Sequence, residues 1–364
     1  MARKRGAHEG DKGAHRGDKG VSGRDRHAPW RDSAAASLMA KALAGIELAG
    51  DVLVMLERGE DVAEAVRASG GEPRPWRRMA GGSAGGGLPA SSWPPAGPFA
   101  SAILRLPKSK DELDMAVHAA AAGLESGGRL WVYGANDEGA GSAEGRIREI
   151  MAPATTVASG GRCRVLEARR PEEMPGLLGT LDRWGHRFPI DVPQLPATWI
   201  SFPGVFSHGR IDAGTRALMD VIPSLEPGVQ VLDFGCGSGL LGGYIRARQP
   251  DVSVDFLDAD AVALEAVQAN LPGHRRILSD GLPKSGDRRY DLIVSNPPYH
   301  EGKGETVRVI EELAQGAPSH LTATGSLLLV TQRRLPVGIH LQAAFARVEI
   351  VTDEGPHRVW RASP

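Results

Sequence analysis

The densest chemistry in the chain lies in Asn296-Pro297-Pro298-Tyr299, which follows the apolar run Leu292-Ile293-Val294. Two consecutive prolines fix φ and remove two N–H donors, so the carbonyls around them meet no competing donor. The Asn296 carboxamide oxygen and the Pro297 carbonyl can then accept the two hydrogens of a planar amino group whose lone pair is delocalised into a ring or an amide. Tyr299 offers a flat face on which a base can stack, worth on the order of 1–3 kcal/mol. No strong base is needed if the leaving group is a sulfonium. That group loses its charge in the transition state, and alignment with exclusion of water supplies most of the acceleration. Asn-Pro-Pro after a strand is also a plain turn, so the reading depends on its company.

That company is upstream. Val231-Leu232-Asp233-Phe234-Gly235-Cys236-Gly237-Ser238-Gly239 reads as a strand entering a G-x-G-x-G turn that opens a helix. Glycines there let the backbone bend sharply and approach a ligand without a Cβ clash. A dinucleotide fingerprint would carry a glycine or alanine one residue later, where this chain has Leu240, so the spacing favours S-adenosylmethionine over a nicotinamide cofactor. Cys236 reads as a small packed residue, not a nucleophile. Asp258, with Ala259 beside it, stands past the next apolar strand, where a carboxylate accepts from both ribose hydroxyls of a nucleoside. Asp280 and Gly281 follow Arg276-Ile277-Leu278, where the adenine amino group would be met. A solvated loop acid is the plain alternative for each aspartate. No metal is called for.

The elements that must position these residues alternate. After Pro203, strands are predicted at Val229–Asp233, Val252–Leu257, Asp291–Ser295 and Ser326–Val330, with helices around Leu240–Arg248, Ala261–Ala269 and Thr306–His320. This is a doubly wound sheet, with ligands expected at the carboxyl ends of its strands. An earlier series alternates too: a strand at Ala102–Leu106, a helix at Asp111–Leu124, a strand at Leu130–Tyr133, a short helix from Ser142 and a strand near Val165. No glycine-rich loop opens a helix in that half, which reads as a scaffold. The stretch from Ser33 to about Glu57 reads as helical, with the run Val52–Leu56 left open in type.

Length and charge set the frame. At 364 residues two domains are expected. A net charge of −1 with 24% charged residues advertises no polyanion partner, although clustering matters more than the total. Two unlike cysteines, Cys163 and Cys236, argue against a disulfide framework and for a reducing cytoplasm. No apolar run reaches the roughly 18–20 residues of a membrane span, and the basic N-terminus is not expected to be a signal peptide. Residues 1–33, with the near-duplication Gly6–Lys12 and Gly13–Lys19, read as a disordered basic tail that could touch RNA phosphates. Residues 70–98 read as a flexible Gly/Pro-rich loop. Within it, Arg74-Pro75-Trp76-Arg77-Arg78 is either solvated charge or an RNA contact with a stacking ring.

These motifs resemble the RsmC-like small-subunit ribosomal RNA guanine-N2 methyltransferases. The likeness runs from Asn296-Pro297-Pro298-Tyr299 into His300-Glu301-Gly302, and includes Pro203–Ser207, Asp212-Ala213-Gly214-Thr215 and Arg358–Ala362. More loosely it takes in Leu106–Lys110 and Val132–Asn136. It implies two tandem Rossmann-like α/β domains. The first, over 34–190, is degenerate; the second, over 191–364, is catalytic, with a seven-stranded sheet ending in a β-hairpin. It implies S-adenosylmethionine as cofactor, with Phe206, Asp212 and Thr215 lining its methionine end, and ribosomal RNA or a ribosomal subunit as partner. Tyr299 replaces the family's usual Phe. Because Asn-Pro-Pro-Tyr also suits the side-chain amide of glutamine, a protein glutamine methyltransferase acting on a release factor is the second reading. A non-catalytic ribosome assembly factor is the third. Two similar halves in one chain point to a monomer.

Overall fold

The computed structural model describes residues 29–81, 89–283, 288–297, 303–353 and 355–364, the side chains at 29–30 and 303–306 excepted. The first half contains α1 (Pro29–Leu43), β1 (Asp51–Met55), α2 (Asp61–Ala68), β2 (Glu72–Trp76), β3 (Phe99–Arg105), α3 (Lys110–Gly123), β4 (Leu124–Ala135), α4 (Ala140–Ile150), β5 (Thr155–Gly160) and β6 (Cys163–Arg169). Its six strands run in the order β2-β1-β3-β4-β6-β5. The first four are parallel, and β6 and β5 are antiparallel to their neighbours. Alternation along β1 makes two cores. Leu53 and Met55 pack with Leu113 and Ile147 of α3 and α4, whereas Val52 and Val54 pack with Met39 and Val62 of α1 and α2.

A two-stranded hairpin, β7 (His186–Pro189) with β8 (Thr198–Ser201), links the halves. Then follow α5 (Ala213–Met219), β9 (Gln230–Phe234), α6 (Leu240–Arg248), β10 (Ser253–Asp258), α7 (Ala261–Asn270), β11 (Arg276–Leu278), β12 (Tyr290–Ser295), α8 (Lys303–Gly316), β13 (Leu321–Gln332), α9 (Val337–Ala344), β14 (Arg347–Thr352) and β15 (His357–Ser363). The order is β11-β10-β9-β12-β13-β15-β14, with the last two strands forming the antiparallel hairpin. Because helices cover both faces, apolar residues of its central strands point to both sides. Val231, Leu292 and Val294 face α5–α7; Leu232 and Ile293 face α8 and α9. Set side by side, the first sheet repeats this order without the outermost strand.

Two expectations need correction. The tail does not extend to residue 33: α1 begins at Pro29, and Arg31 is buried with its guanidinium on Asp137 at 2.7 Å. The segment 70–98 is not loop throughout, because Glu72-Pro73-Arg74-Pro75-Trp76 forms β2. Prolines lack the N–H that a central strand must donate, but β2 lies at the sheet edge and pairs with β1 alone. Trp76 is fully buried and gives its indole N–H to the Ser91 carbonyl, so it is not available to stack a base. Among the described residues no helix is long and apolar enough to cross a membrane.

Candidate active site

The parallel strand β12 delivers Asn296 to the carboxyl edge of the second sheet, between β9 and β13. The residue is 8% exposed. Its Nδ2 donates to Asp212 Oδ2 at 2.9 Å and to Thr215 Oγ1 at 3.0 Å. Asp212 is the N-cap of α5, and the same Oδ2 accepts from the Gly214 N–H at 2.7 Å. A carboxylate only accepts, so the NH2 end of the carboxamide must face it and the orientation of the amide is settled. That leaves Asn296 Oδ1 buried, with no hydrogen-bond partner among the described residues. A buried acceptor left unpaired costs on the order of 1–3 kcal/mol. Such a cost at a strand end marks a place where a donor from outside the chain is meant to arrive.

Next to it, the chain leaving β9 turns through Gly235 and Gly237 at φ 67° and 53°. Nothing lies within 4 Å of where a Cβ would stand on either, so the bend opens onto free space. The Gly235 and Cys236 N–H groups donate to Leu257 O at 2.8 and 3.0 Å, which ties the bend to β10. At the end of β10, Asp258 accepts from the Gly237 N–H through Oδ2 (2.8 Å) and from the Asp260 N–H through Oδ1 (2.9 Å). Burial and the neighbouring Asp260 push its carboxyl up to about 6. Asp233, fully enclosed, accepts from the Gly242 N–H at 2.8 Å, and burial pushes it up to about 7. Burial, with Asp258 and Asp233 nearby, holds the Cys236 thiol well above its usual range, as a packed residue requires.

The structure gathers Phe206, Asp212, Thr215, Asp233, Gly235, Cys236, Gly237 and Asn296 around one narrow cavity, together with Ser207, Arg210 and Leu241. Asp258, Ala259, Asp280 and Gly281 do not line it; they stand at and after the carboxyl ends of β10 and β11, on the far side of β9 from Asn296. Gly239 stands apart. It is the N-cap of α6, and a Cβ there would meet Val267 at 3.0 Å, so it serves helix packing. Pro297 is buried directly after Asn296, whereas Pro298 and Tyr299 lie outside the described residues. Two participants are not singled out by sequence reasoning. A Cβ on Gly214 would stand 3.0 Å from Asn296 Oδ1. Arg78 reaches across from the first half to Asp260. The unpaired oxygen, the open glycine bend and an acceptor-rich lining fit a cationic ligand that carries ribose hydroxyls.

A methyltransferase small domain model matches residues 197–361, and the corresponding N-terminal domain model matches residues 89–178. The chain is 33% identical over 274 residues to the ribosomal RNA small subunit methyltransferase C of Pseudomonas entomophila, covering 73% of this chain and 79% of that one. The protein of the same name from Stutzerimonas stutzeri is 31% identical, with 74% and 80% covered. This chain belongs to the ribosomal RNA small subunit methyltransferase C family. A solved structure of the T. thermophilus 16S rRNA N2 methyltransferase RsmC, in complex with AdoMet and guanosine, covers 93% of both chains with a TM-score of 0.75 at 22% identity, which establishes the two-domain fold.

Among the described residues, only the second half carries an open strand-end site. In the first half Leu56 takes the place of Gly235. Its φ is 59°, and its N–H bonds to Trp76 O at 2.9 Å, as that of Gly235 bonds to Leu257 O. The strand equivalent to β12 is β3, and it ends in Arg105. That guanidinium, 5% exposed, binds Asp32 at 2.8 Å and Glu138 at 2.7 Å, closing the strand ends from inside.

Proposed function

We propose that this chain transfers a methyl group from S-adenosylmethionine to the exocyclic N2 amino group of a guanine in small-subunit ribosomal RNA. The observation that carries the proposal is the unpaired, buried Oδ1 of Asn296, oriented by Asp212 and Thr215. A guanine amino group is planar because its lone pair is delocalised. Asn296 Oδ1 accepts one of its hydrogens and the Pro297 carbonyl the other, which holds the nitrogen in place and favours the charge that builds on it. Neither acceptor needs to be a base, since the surplus proton leaves to solvent after transfer. S-adenosylmethionine, when bound, supplies an electrophilic methyl on a sulfonium. Gly235 and Gly237 make room for it, Asp258 and Ala259 take the ribose side, Asp280 and Gly281 the adenine side, and Phe206, Asp212 and Thr215 the methionine end. Pro298 and Tyr299 keep the roles their residue types give them, a fixed φ and a flat face for stacking.

The choice of guanine in ribosomal RNA follows family membership and the guanosine in the T. thermophilus complex. Residues 29–190 act as scaffold and 191–364 as the catalytic half of a cytoplasmic monomer. Labelled donor incubated with naked ribosomal RNA, small subunits, large subunits and release factor tests the assignment. The expected result is label in RNA, recovered as N2-methylguanosine on digestion and lost with Asn296→Ala. Label confined to release-factor glutamine, or absent from every substrate, refutes it.

A further inference from the structure

Arg78 lies in a segment whose sequence suggests a solvated loop, yet it is 4% exposed and sits between the two halves. Its Nε and Nη2 bind Asp260 in bidentate fashion, at 2.9 and 2.5 Å. Its Nη1 binds Glu112 of α3 at 2.8 Å and the Pro203 carbonyl at 3.1 Å. One guanidinium thus holds the turn after β10, the segment leading to Phe206, and a helix of the first half. The backbone adds to the hold. Ala80 N–H donates to Ala259 O, and Ala261 N–H, at the start of α7, donates to Arg78 O at 2.8 Å. Three residues on, Gly81 packs so closely on the Asp280 carboxylate that any Cβ would collide with it. The strap from Arg78 to Gly81 therefore passes along Ala259 and Asp280, the residues assigned above to the ribose and adenine sides of the cofactor.

We infer that Arg78 is a positioning residue for the cofactor, and that the strap Arg78–Gly81 gives the second half one wall of its nucleoside pocket. The inference rests on the reading of the glycine bend and Asp258 as the cofactor site. It also gives the first half a concrete part in binding. The strand ends of that half are closed, but its edge strand β2 leads into the clamp that shapes the neighbouring pocket.

The electrostatics agree with the geometry. Asp258 is faced by Asp260 in its own turn, by Asp233 from β9, by the Cys236 thiol in the bend and, through Asp260, by Glu112 from α3. Burial and Asp260 raise the Asp258 carboxyl, the Asp260 and Gly237 N–H groups lower it, and Arg78 is the cation that adds to that lowering. Arg78 itself stays charged: burial opposes that, but Asp260 and Glu112 outweigh it. Without the guanidinium Asp258 holds its proton to higher pH, and a protonated carboxyl is the poorer acceptor for two ribose hydroxyls.

The test is titration of S-adenosylhomocysteine into the full chain, followed calorimetrically from pH 6 to pH 8.5, with thermal melts of each variant. Arg78→Met is expected to weaken binding at least about twofold at pH 7, the loss that one unit of displaced ionisation gives when the carboxyl starts near 6, with the lost wall adding to it. The gap should narrow by pH 8.5, and Arg78→Lys should recover part of the loss. Gly81→Ala leaves the Arg78 ion pairs alone; at φ 81° alanine is strained, so the melting temperature should drop slightly while binding weakens well beyond that drop. Should Arg78→Met fail to fold, Gly81→Ala decides. A Gly81→Ala chain, or a folded Arg78→Met chain, that binds as tightly as wild type at every pH overturns the inference. Wild type taking up no S-adenosylhomocysteine at all would instead overturn the reading of the cofactor site.

Discussion

The Asn296 amide nitrogen and Asp212 Oδ2 stand 2.9 Å apart, and the carboxylate that orients the amide is also the N-cap of α5. One oxygen therefore starts a helix and decides which end of a side chain faces the cavity. Replacing Asp212 with Asn lets the new amide present either end, so Asn296 is free to turn its oxygen away. Single-turnover methyl transfer with Asp212→Asn should fall on the order of 100-fold, the usual loss when a preorganised electrostatic contact is removed. Thr215→Val removes only one of the two acceptors and should cost about tenfold. Turnover that survives Asp212→Asn intact would separate amide orientation from catalysis.

Gly214 offers a cleaner division of stability from activity. A Cβ there would lie 2.9 Å from Asp212 Oδ2 and 3.0 Å from Asn296 Oδ1, in the space through which the two side chains meet. Alanine in a helix is favoured over glycine by about 1 kcal/mol. The clash with the N-cap carboxylate offsets that gain, so Gly214→Ala should melt close to wild type while losing most of its turnover. A variant that melts alike and turns over alike would show that the close approach does not matter.

Much of this arrangement can be read from the sequence, for an identifiable reason. Leu292-Ile293-Val294 is apolar at every position because β12 is buried on both faces, and it runs straight into residues that cannot continue a ladder. That abrupt change marks a strand end, and Asn296 with it. The glycine bend after β9 is legible on the same ground. Strand β2 is not. Its two prolines exclude a central strand but not an edge, and the position of a strand in a sheet is fixed by the whole chain. Arg78 is hidden more deeply, since its partner Asp260 lies 182 positions away and sequence displays only a cation beside Trp76. The unpaired state of Asn296 Oδ1 is likewise invisible until Asp212 and Thr215 have taken the other end of the amide.

The closed strand ends of the first half make a prediction about folding alone. Arg105 is the cation between Asp32 and Glu138, and it also donates to Leu106 O at 3.1 Å. Removing it strips Glu138 of its cation and leaves Asp32 with Arg58 at 3.6 Å. Arg105→Met should lower unfolding free energy by roughly 2–4 kcal/mol, less than for a dry pair because Asp32 is partly exposed. Urea titration monitored by tryptophan fluorescence measures it. The turnover of the folded fraction should be unchanged, and a loss of activity per folded molecule would argue against the scaffold role.

Asp233 gives the clearest dependence on pH. Enclosed at the end of β9, its carboxyl is raised by burial to about 7, against 3.8 for an ordinary aspartate. Between those values the native chain keeps a proton that the unfolded chain has released. Stability from this residue therefore falls as pH rises through that window and is flat above it. Asp233→Asn carries no such proton, and its oxygen can still accept from the Gly242 N–H. The difference in unfolding free energy between variant and wild type should move in the variant's favour from pH 5 to pH 8, by about 2–3 kcal/mol. The comparison must be made without cofactor, because a ligand that binds only the native state adds its own stabilisation. If the two urea curves stay parallel across that range, Asp233 is ionised in the native protein, and the cavity is wetter than its enclosed geometry implies.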